Sequence, residues 1–68
     1  MSGKVFKKIQ VVGCSDKSFE DAVQIAVSKA AESVHGVSWF EVSEFHGAVK
    51  DDKVVEWQAI VDVAFKID

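Results

Sequence analysis

The chain has 68 residues, a formal net charge of -3 at pH 7 and no arginine among its eight basic residues. Because the chain has no cluster of basic residues to neutralise phosphates, we do not expect it to bind nucleic acid. No window approaches the run of about 20 apolar residues that spans a membrane, and the first residues lack the apolar core of a signal peptide. The sequence therefore predicts a cytoplasmic protein.

The length predicts a single domain over residues 1–68 that is too small to be stable without additional support. Folding buries only about 60% of the surface that a chain of this size exposes when unfolded. Cys14 is the single cysteine, so an intrachain disulfide is impossible, and Cys14, His35 and His46 do not have the spacing of a structural zinc site. Self-association is the remaining source of stability.

The first half of the chain predicts a strand followed by a helix. Residues 4–12 are a β-rich run that stops at turn-forming residues 13–16. Ser18 is a good N-cap with acidic residues after it, so the helix is predicted to begin at Phe19 and to end with Gly36 as its C′ residue. Its apolar positions follow the 3, 4, 3 spacing of one buried stripe: Phe19, Ala22, Val23, Ala26, Val27, Ala30 and Val34.

The second half predicts a β-hairpin. Residues 37–49 form strand 2, residues 50–52 the turn, and residues 53–67 strand 3, in which every odd-numbered position from 55 to 67 is apolar. With this apolar strand in the middle, the strand order is 1-3-2. The fold class is α+β, a β-α-β-β chain whose three-stranded antiparallel sheet packs on one helix.

Strand 3 is too long for the helix to cover. A strand of about 15 residues spans roughly 50 Å, whereas a helix of about 17 residues spans roughly 25 Å. The helix therefore leaves one end of strand 3 without a partner, either Val55 and Trp57 or Phe65 and Ile67. Such an apolar surface, together with unpaired strand edges, predicts a protein interface.

Strand 2 predicts a β-bulge. If Val49 pairs with Lys53, Phe40 and Val42 point away from the core. A one-residue bulge near residues 43–44 returns both of them to the core face.

The same bulge places Trp39 and Glu41 on the polar face of the sheet, which Gln58 and Asp62 share. An exposed indole beside an amide suits a flat heteroaromatic ligand, because the ring stacks on tryptophan while the amide binds its polar edge. The alternative is that Trp39 fills part of a subunit interface.

Five short segments, taken in their order and spacing, carry a family resemblance over essentially the whole chain. They are Val5-Phe6-Lys7-Lys8, Val12-Gly13-Cys14-Ser15, Trp39-Phe40-Glu41-Val42, Trp57-Gln58 and Ala64-Phe65-Lys66. Together they resemble the dodecins, small flavin-binding proteins. The resemblance implies a hollow homododecamer that holds flavins in pairs.

By this resemblance, Trp39 matches the tryptophan that stacks on the isoalloxazine, and a symmetry-related copy closes the sandwich around a flavin pair. Gln58 matches the glutamine that hydrogen-bonds the polar edge of the ring, since an amide both donates and accepts. The indole could also quench an excited flavin by electron transfer. The implied function is storage and photoprotection of flavin, not turnover.

The phosphate site departs from the family pattern. Bacterial members that hold flavin mononucleotide commonly have arginines where this chain has His46 and Lys66. Lysine can still bind phosphate as a point charge, and histidine only when it is protonated. Flavin mononucleotide (FMN) is the first expected ligand and riboflavin the second.

Two other classes of function stay open. Glu41, Glu44, Glu56 and Asp62 could face one another across the hairpin and bind a hard cation, giving a flavin-free structural or ion-binding shell, although a solvated polar face is the preferred interpretation. An enzyme would need a nucleophile with its base, or a carboxylate pair in a pocket, and nothing is arranged in that way. We therefore expect neither catalysis nor a bound metal.

Overall fold

The computed structural model describes residues 3–67, in which three strands and one helix follow the predicted order. The elements are β1 (Phe6–Ser15), α1 (Phe19–Ser33), β2 (Val37–Lys50) and β3 (Lys53–Lys66). The sheet has the order β1-β3-β2, and both pairings are antiparallel. The predicted fold class and strand order are confirmed.

β1 begins two residues later than predicted and continues through the expected turn to Ser15. Gly13 belongs to the strand, where it pairs with Ala59 of β3. Because α1 passes directly over it, a Cβ at this position would collide with the backbone oxygen of Ala22 and lie 2.9 Å from the Cβ of Ala26. The turn follows Ser15, whose hydroxyl accepts from the backbone N–H of Lys17 at 2.9 Å and donates to Asp21 at 2.6 Å. The prediction that Gly13 is a turn residue is wrong.

The predicted start of α1 is confirmed and its predicted end is wrong. The Ser18 hydroxyl accepts from the backbone N–H of Asp21 at 3.0 Å, as expected of an N-cap. The helix has 15 residues, and its C-cap is Val34, which is extended. Gly36 has φ 75°, but it lies two residues beyond the cap, in the connection to β2, and is not the C′ residue.

The core lies where α1 crosses the middle of β3. It consists of small side chains that are at most 5% exposed, which allows the helix to approach the sheet closely: Ala22, Ala26 and Ala30 from α1, with Ala59, Val61 and Val63 from β3. At both ends of β3 the apolar face continues beyond this core, so Val55 is 45% and Ile67 46% exposed. The predicted mismatch between helix and strand length is present at both ends.

The hairpin has the predicted bulge but a different turn. Pairing shifts between Val42 and Glu44, as expected. However, Lys53 pairs with Lys50 and not with Val49, and further irregularities lie near residue 38 and between residues 48 and 49. The turn contains only Asp51 and Asp52, with φ of 52° and 64°. Positive φ at both central residues is the geometry that matches strand twist in a two-residue hairpin, and aspartate tolerates it.

The bulge turns Phe40 and Val42 toward the helix side of the sheet, opposite Val63 and Val61. Phe40 is nevertheless 50% exposed, because the side chains of α1 and β2 diverge around an open apolar cleft of about 520 Å³. The cleft is lined by Phe19, Glu20, Val23, Gln24, Val27, Phe40, Val42 and Phe45. Within one chain, no other element covers this part of the helix-side face of β2.

Candidate functional site

The candidate site lies on the face of the sheet that points away from α1. Strand register places Trp39 beside Ala64 and His46 beside Gln58. Lys66 follows Ala64 on the same face of β3, because side chains alternate along a strand. All four predicted site residues, Trp39, Gln58, His46 and Lys66, therefore share one face.

Trp39 is held at one end of this face with part of its indole open to solvent. The indole is 43% exposed and packs edge-on against Phe6, with ring centroids 6.0 Å apart and an interplanar angle of 61°. Its neighbour Ala64 is fully buried although α1 is on the other side of the sheet, so the larger side chains around it cover it. This arrangement fixes the indole while leaving it surface for stacking.

Phe6 is a component of this site that the sequence analysis did not identify. In the sequence it stands in the first predicted strand and in the Val5-Phe6-Lys7-Lys8 segment of the family resemblance, with no role of its own. The structure pairs Phe6 with Lys66 across β1 and β3, which brings its ring to the Trp39 end of the face. This contact depends on the register of β1 against β3, which α1 and β2 separate along the chain, and the apolar pattern of β1 alone does not determine that register.

Two of the acidic side chains on this face already have partners. Lys8 donates to Glu41 at 3.2 Å, and Gln10 donates to Asp62 at 3.1 Å. The first contact reaches from β1 across β3 to β2, and the second joins the neighbouring strands β1 and β3. Across residues 3–67, no group of three or more histidine, cysteine, aspartate or glutamate side chains is placed to hold a metal ion.

Gln58 lies at the other end of the face, between polar neighbours. Its side-chain nitrogen Nε2 donates to Oε1 of Glu56 at 2.6 Å. His46 lies opposite Gln58 on β2, and its Nδ1 is 3.5 Å from Oε1 of Glu44. Cys14 lies opposite Gln58 on β1 and is exposed. This end offers an amide, an imidazole and a thiol in one row across the sheet.

The two ends are far apart within one chain. Trp39 is in register with Ala64, which is six residues from Gln58 along β3, and at roughly 3.4 Å per residue this is about 20 Å. That separation exceeds the length of an isoalloxazine ring. The expectation that the indole lies beside the amide is therefore wrong for a single chain. Lys66 lies with Trp39, whereas His46 lies with Gln58.

No helix among the described residues 3–67 is long and apolar enough to cross a lipid bilayer.

The fold and the site define a class: small β-α-β-β chains with an exposed aromatic on one face of the sheet and an open apolar cleft on the other. The family model described as Dodecin matches residues 5–68. A curated dodecin of Thermus thermophilus is 36% identical over 66 residues, which are 97% of this chain and 96% of the relative. The chain belongs to the dodecin family.

Solved structures agree with this membership. Dodecin from Streptomyces coelicolor has a TM-score of 0.93 and 31% identity, covering 100% of this chain and 97% of its own. A calcium dodecin of Mycobacterium tuberculosis, described as a calcium-chelating antigen with a novel calcium-binding site, has a TM-score of 0.81 and 31% identity over 94% and 91% of the two chains. Family membership supports a small oligomeric flavin-binding protein of a non-enzymatic family.

Proposed function

We propose that this protein stores and sequesters flavin, and protects it from light, in a homododecameric shell built from copies of one 68-residue domain. The observation that carries the proposal is the half-exposed indole of Trp39, which Phe6 holds in place on the sheet face. A fixed aromatic surface of this kind binds a flat heteroaromatic ring with little loss of side-chain entropy. The shell is proposed to work in the cytoplasm.

The distance between Trp39 and Gln58 supports a binding site that forms between copies. Because about 20 Å separates the two residues along β3, one ring cannot contact both in a single chain. We place the flavin against Trp39 of one copy, within hydrogen-bonding reach of Gln58 of a neighbouring copy. A second, symmetry-related Trp39 closes a sandwich around two flavins.

The exposed apolar surface supports the assembly itself. Phe40 and Phe45 beside the open cleft are each about half exposed, and at the hairpin end Val49 is 69% and Val54 51% exposed. A monomer seldom leaves so much apolar surface to water, and contiguous patches of this kind mark protein interfaces. Covering them with further copies supplies the burial that a chain of 68 residues lacks.

The phosphate of FMN would be held by Lys66 and His46, which lie at opposite ends of the sheet face. In the assembled site Lys66 accompanies Trp39 and His46 accompanies Gln58, so the two side chains reach the ligand from different copies. Neither offers the planar, two-pronged donor of arginine. FMN remains the first ligand proposed and riboflavin the second.

Photoprotection follows from the stacking. An indole in contact with an excited isoalloxazine can return it to the ground state by electron transfer and back-transfer. This competes with the photochemistry of the flavin and leaves both rings unchanged. Storage and quenching therefore require the same residue, Trp39.

Replacing Trp39 with alanine tests this function. Stacking of a heteroaromatic ring on one aromatic side chain is worth about 1–3 kcal/mol, so Trp39→Ala should weaken riboflavin binding by about 5- to 150-fold. Fluorescence titration measures both the affinity and the quenching, and sedimentation measures the assembly. Trp57→Phe is the matched control, because Trp57 is the other tryptophan and pairs with Gly47 on the opposite face of the sheet.

Three results would decide against the proposal. Riboflavin and FMN titrated into the protein with no loss of emission would remove flavin binding altogether. Unchanged affinity in Trp39→Ala would remove the stacking site. Loss of assembly in Trp39→Ala would show that the indole serves a subunit interface.

A flavin-free, ion-binding shell of the same fold is the second candidate, supported by the likeness to the calcium dodecin of M. tuberculosis. Glu41 and Asp62 are engaged by Lys8 and Gln10 within the chain, so a cation site would draw carboxylates from more than one copy. Isothermal titration of the assembled protein with Ca²⁺, in the absence of flavin, tests it. Heat of binding that disappears in Glu44→Gln would favour this candidate.

A further inference from the structure

The shortest hydrogen bond between two side chains on the candidate flavin face joins Glu56 and Gln58. These residues are two apart on β3 and so lie on the same face, and Nε2 of Gln58 is 2.6 Å from Oε1 of Glu56. Both side chains are partly buried, which shields the contact from water. The cross-strand neighbour of Glu56 is Ala48, which has no polar group to compete for the carboxylate.

This contact determines which way the Gln58 amide points. An ionised carboxylate only accepts hydrogen bonds, so the amide atom that faces Glu56 must be the NH₂ group and not the carbonyl oxygen. One of the two N–H groups is thereby occupied. The carbonyl oxygen Oε1 points away from Glu56 and is left to accept, and the second N–H stays available to donate.

We propose that Glu56 is a positioning residue for the flavin, which holds the Gln58 amide so that its carbonyl oxygen accepts from the imide N3–H of the isoalloxazine. This inference rests on the proposed function and adds the residue, Glu56, that sets the selectivity of the flavin site. The polar edge of the ring presents N3–H between two carbonyls. Only one orientation of the amide matches that N–H with an acceptor, and the remaining N–H of Nε2 is then directed to an adjacent ring carbonyl.

Removing the carboxylate leaves the Gln58 side chain free to rotate, and binding must then order it. Ordering one flexible side chain at an interface reduces affinity by about 3- to 10-fold. Glu56→Ala should therefore weaken riboflavin binding by about that factor. In a Gln58→Ala background the same substitution should have no further effect, because the group that Glu56 positions is gone.

A flavin analogue separates positioning from a general structural role. 3-Methylriboflavin carries a methyl group in place of the N3 hydrogen, which keeps the Gln58 amide away from this edge of the ring. Its affinity should therefore not change when Glu56 is replaced, and the ratio of riboflavin to 3-methylriboflavin affinity should fall about 3- to 10-fold. Glu56→Gln keeps the size of the side chain but allows the Gln58 amide either orientation. It should therefore also lower the ratio of riboflavin to 3-methylriboflavin affinity. Glu44→Gln removes an equal charge from the same face and should leave the ratio unchanged.

Fluorescence titration of the assembled protein gives all of these affinities. The inference fails if Glu56→Ala leaves riboflavin affinity unchanged, weakens both flavins equally, or acts with the same factor in the Gln58→Ala background. Each of these results leaves flavin binding by the wild-type protein intact and so rejects the positioning role alone. A wild-type protein that binds neither flavin would reject the proposed function as well.

Discussion

Replacing Gly13 with alanine tests whether the direct contact of α1 with β1 holds the fold together. The added methyl group would collide with the backbone oxygen of Ala22 and lie 2.9 Å from the Cβ of Ala26. A backbone atom cannot avoid the methyl by changing rotamer, so the helix or the strand must move as a unit. The small residues of the core then lose contact along the whole helix.

The expected cost is large for a single methyl group. Overpacking a tight core costs about 1–3 kcal/mol, and the backbone collision places Gly13→Ala in the upper part of that range, about 2–3 kcal/mol. For a chain of 60–100 residues each kcal/mol lowers the melting temperature by about 4–8 °C, which gives a fall of about 10–20 °C. Circular dichroism at one fixed protein concentration measures it, because assembly makes the melting temperature depend on concentration.

Gly3→Ala is the control for the same chemical change. A Cβ at Gly3 has no atom within 4 Å, so this variant should melt with the wild type. If Gly13→Ala also melts with the wild type, α1 does not approach β1 as closely as described. Close contact between α1 and the sheet would then not be the reason that the core is built from alanine and valine.

Three further predictions concern the turn, the helix start and the phosphate. Asp52 has φ 64°, so Asp52→Gly should raise the free energy of unfolding by about 0.5 kcal/mol in thermal denaturation, because glycine adopts this conformation without a penalty. Ser18→Ala removes the N-cap and should cost about 1 kcal/mol, whereas Ser28→Ala on the exposed helix surface should cost less in the same assay. Without arginine beside His46 and Lys66, preference for FMN over riboflavin should be modest and should fall as salt is added; a large preference that salt does not change would contradict this.

Much of the fold could be predicted because local signals in the sequence agree with one another. The N-cap at Ser18 and the apolar spacing from Ala22 to Ala30 specify the helix, the alternation along β3 specifies a strand, and these signals are confirmed. The spacing extended the helical stripe too far at Val34, which is the extended C-cap. The bulge was predictable as well, since it is the simplest way to turn both Phe40 and Val42 to the helix side of the sheet. Positions where one face must be buried specify register strongly.

The errors arise where contacts between distant parts of the chain decide the structure. Gly13 is a residue type typical of turns, and only its pairing with the distant Ala59 shows that it is in a strand. The separation of Trp39 and Gln58 likewise depends on strand pairing, since parity gives the face of a residue but not its distance along the sheet. For the same reason the contact between Phe6 and Trp39 could not be predicted.

The strand order has a consequence for how the chain is made. β1 and β2 each pair with β3, and the buried alanines of α1 also pack on it. β3 is the last of the four elements to be synthesised. Synthesis at about 5–20 residues per second places β3 roughly 2–8 s behind β1. During that interval β1 has no strand to pair with, and α1 can pack only on β1. In every copy, pairing of β1 therefore waits until β3 has been made.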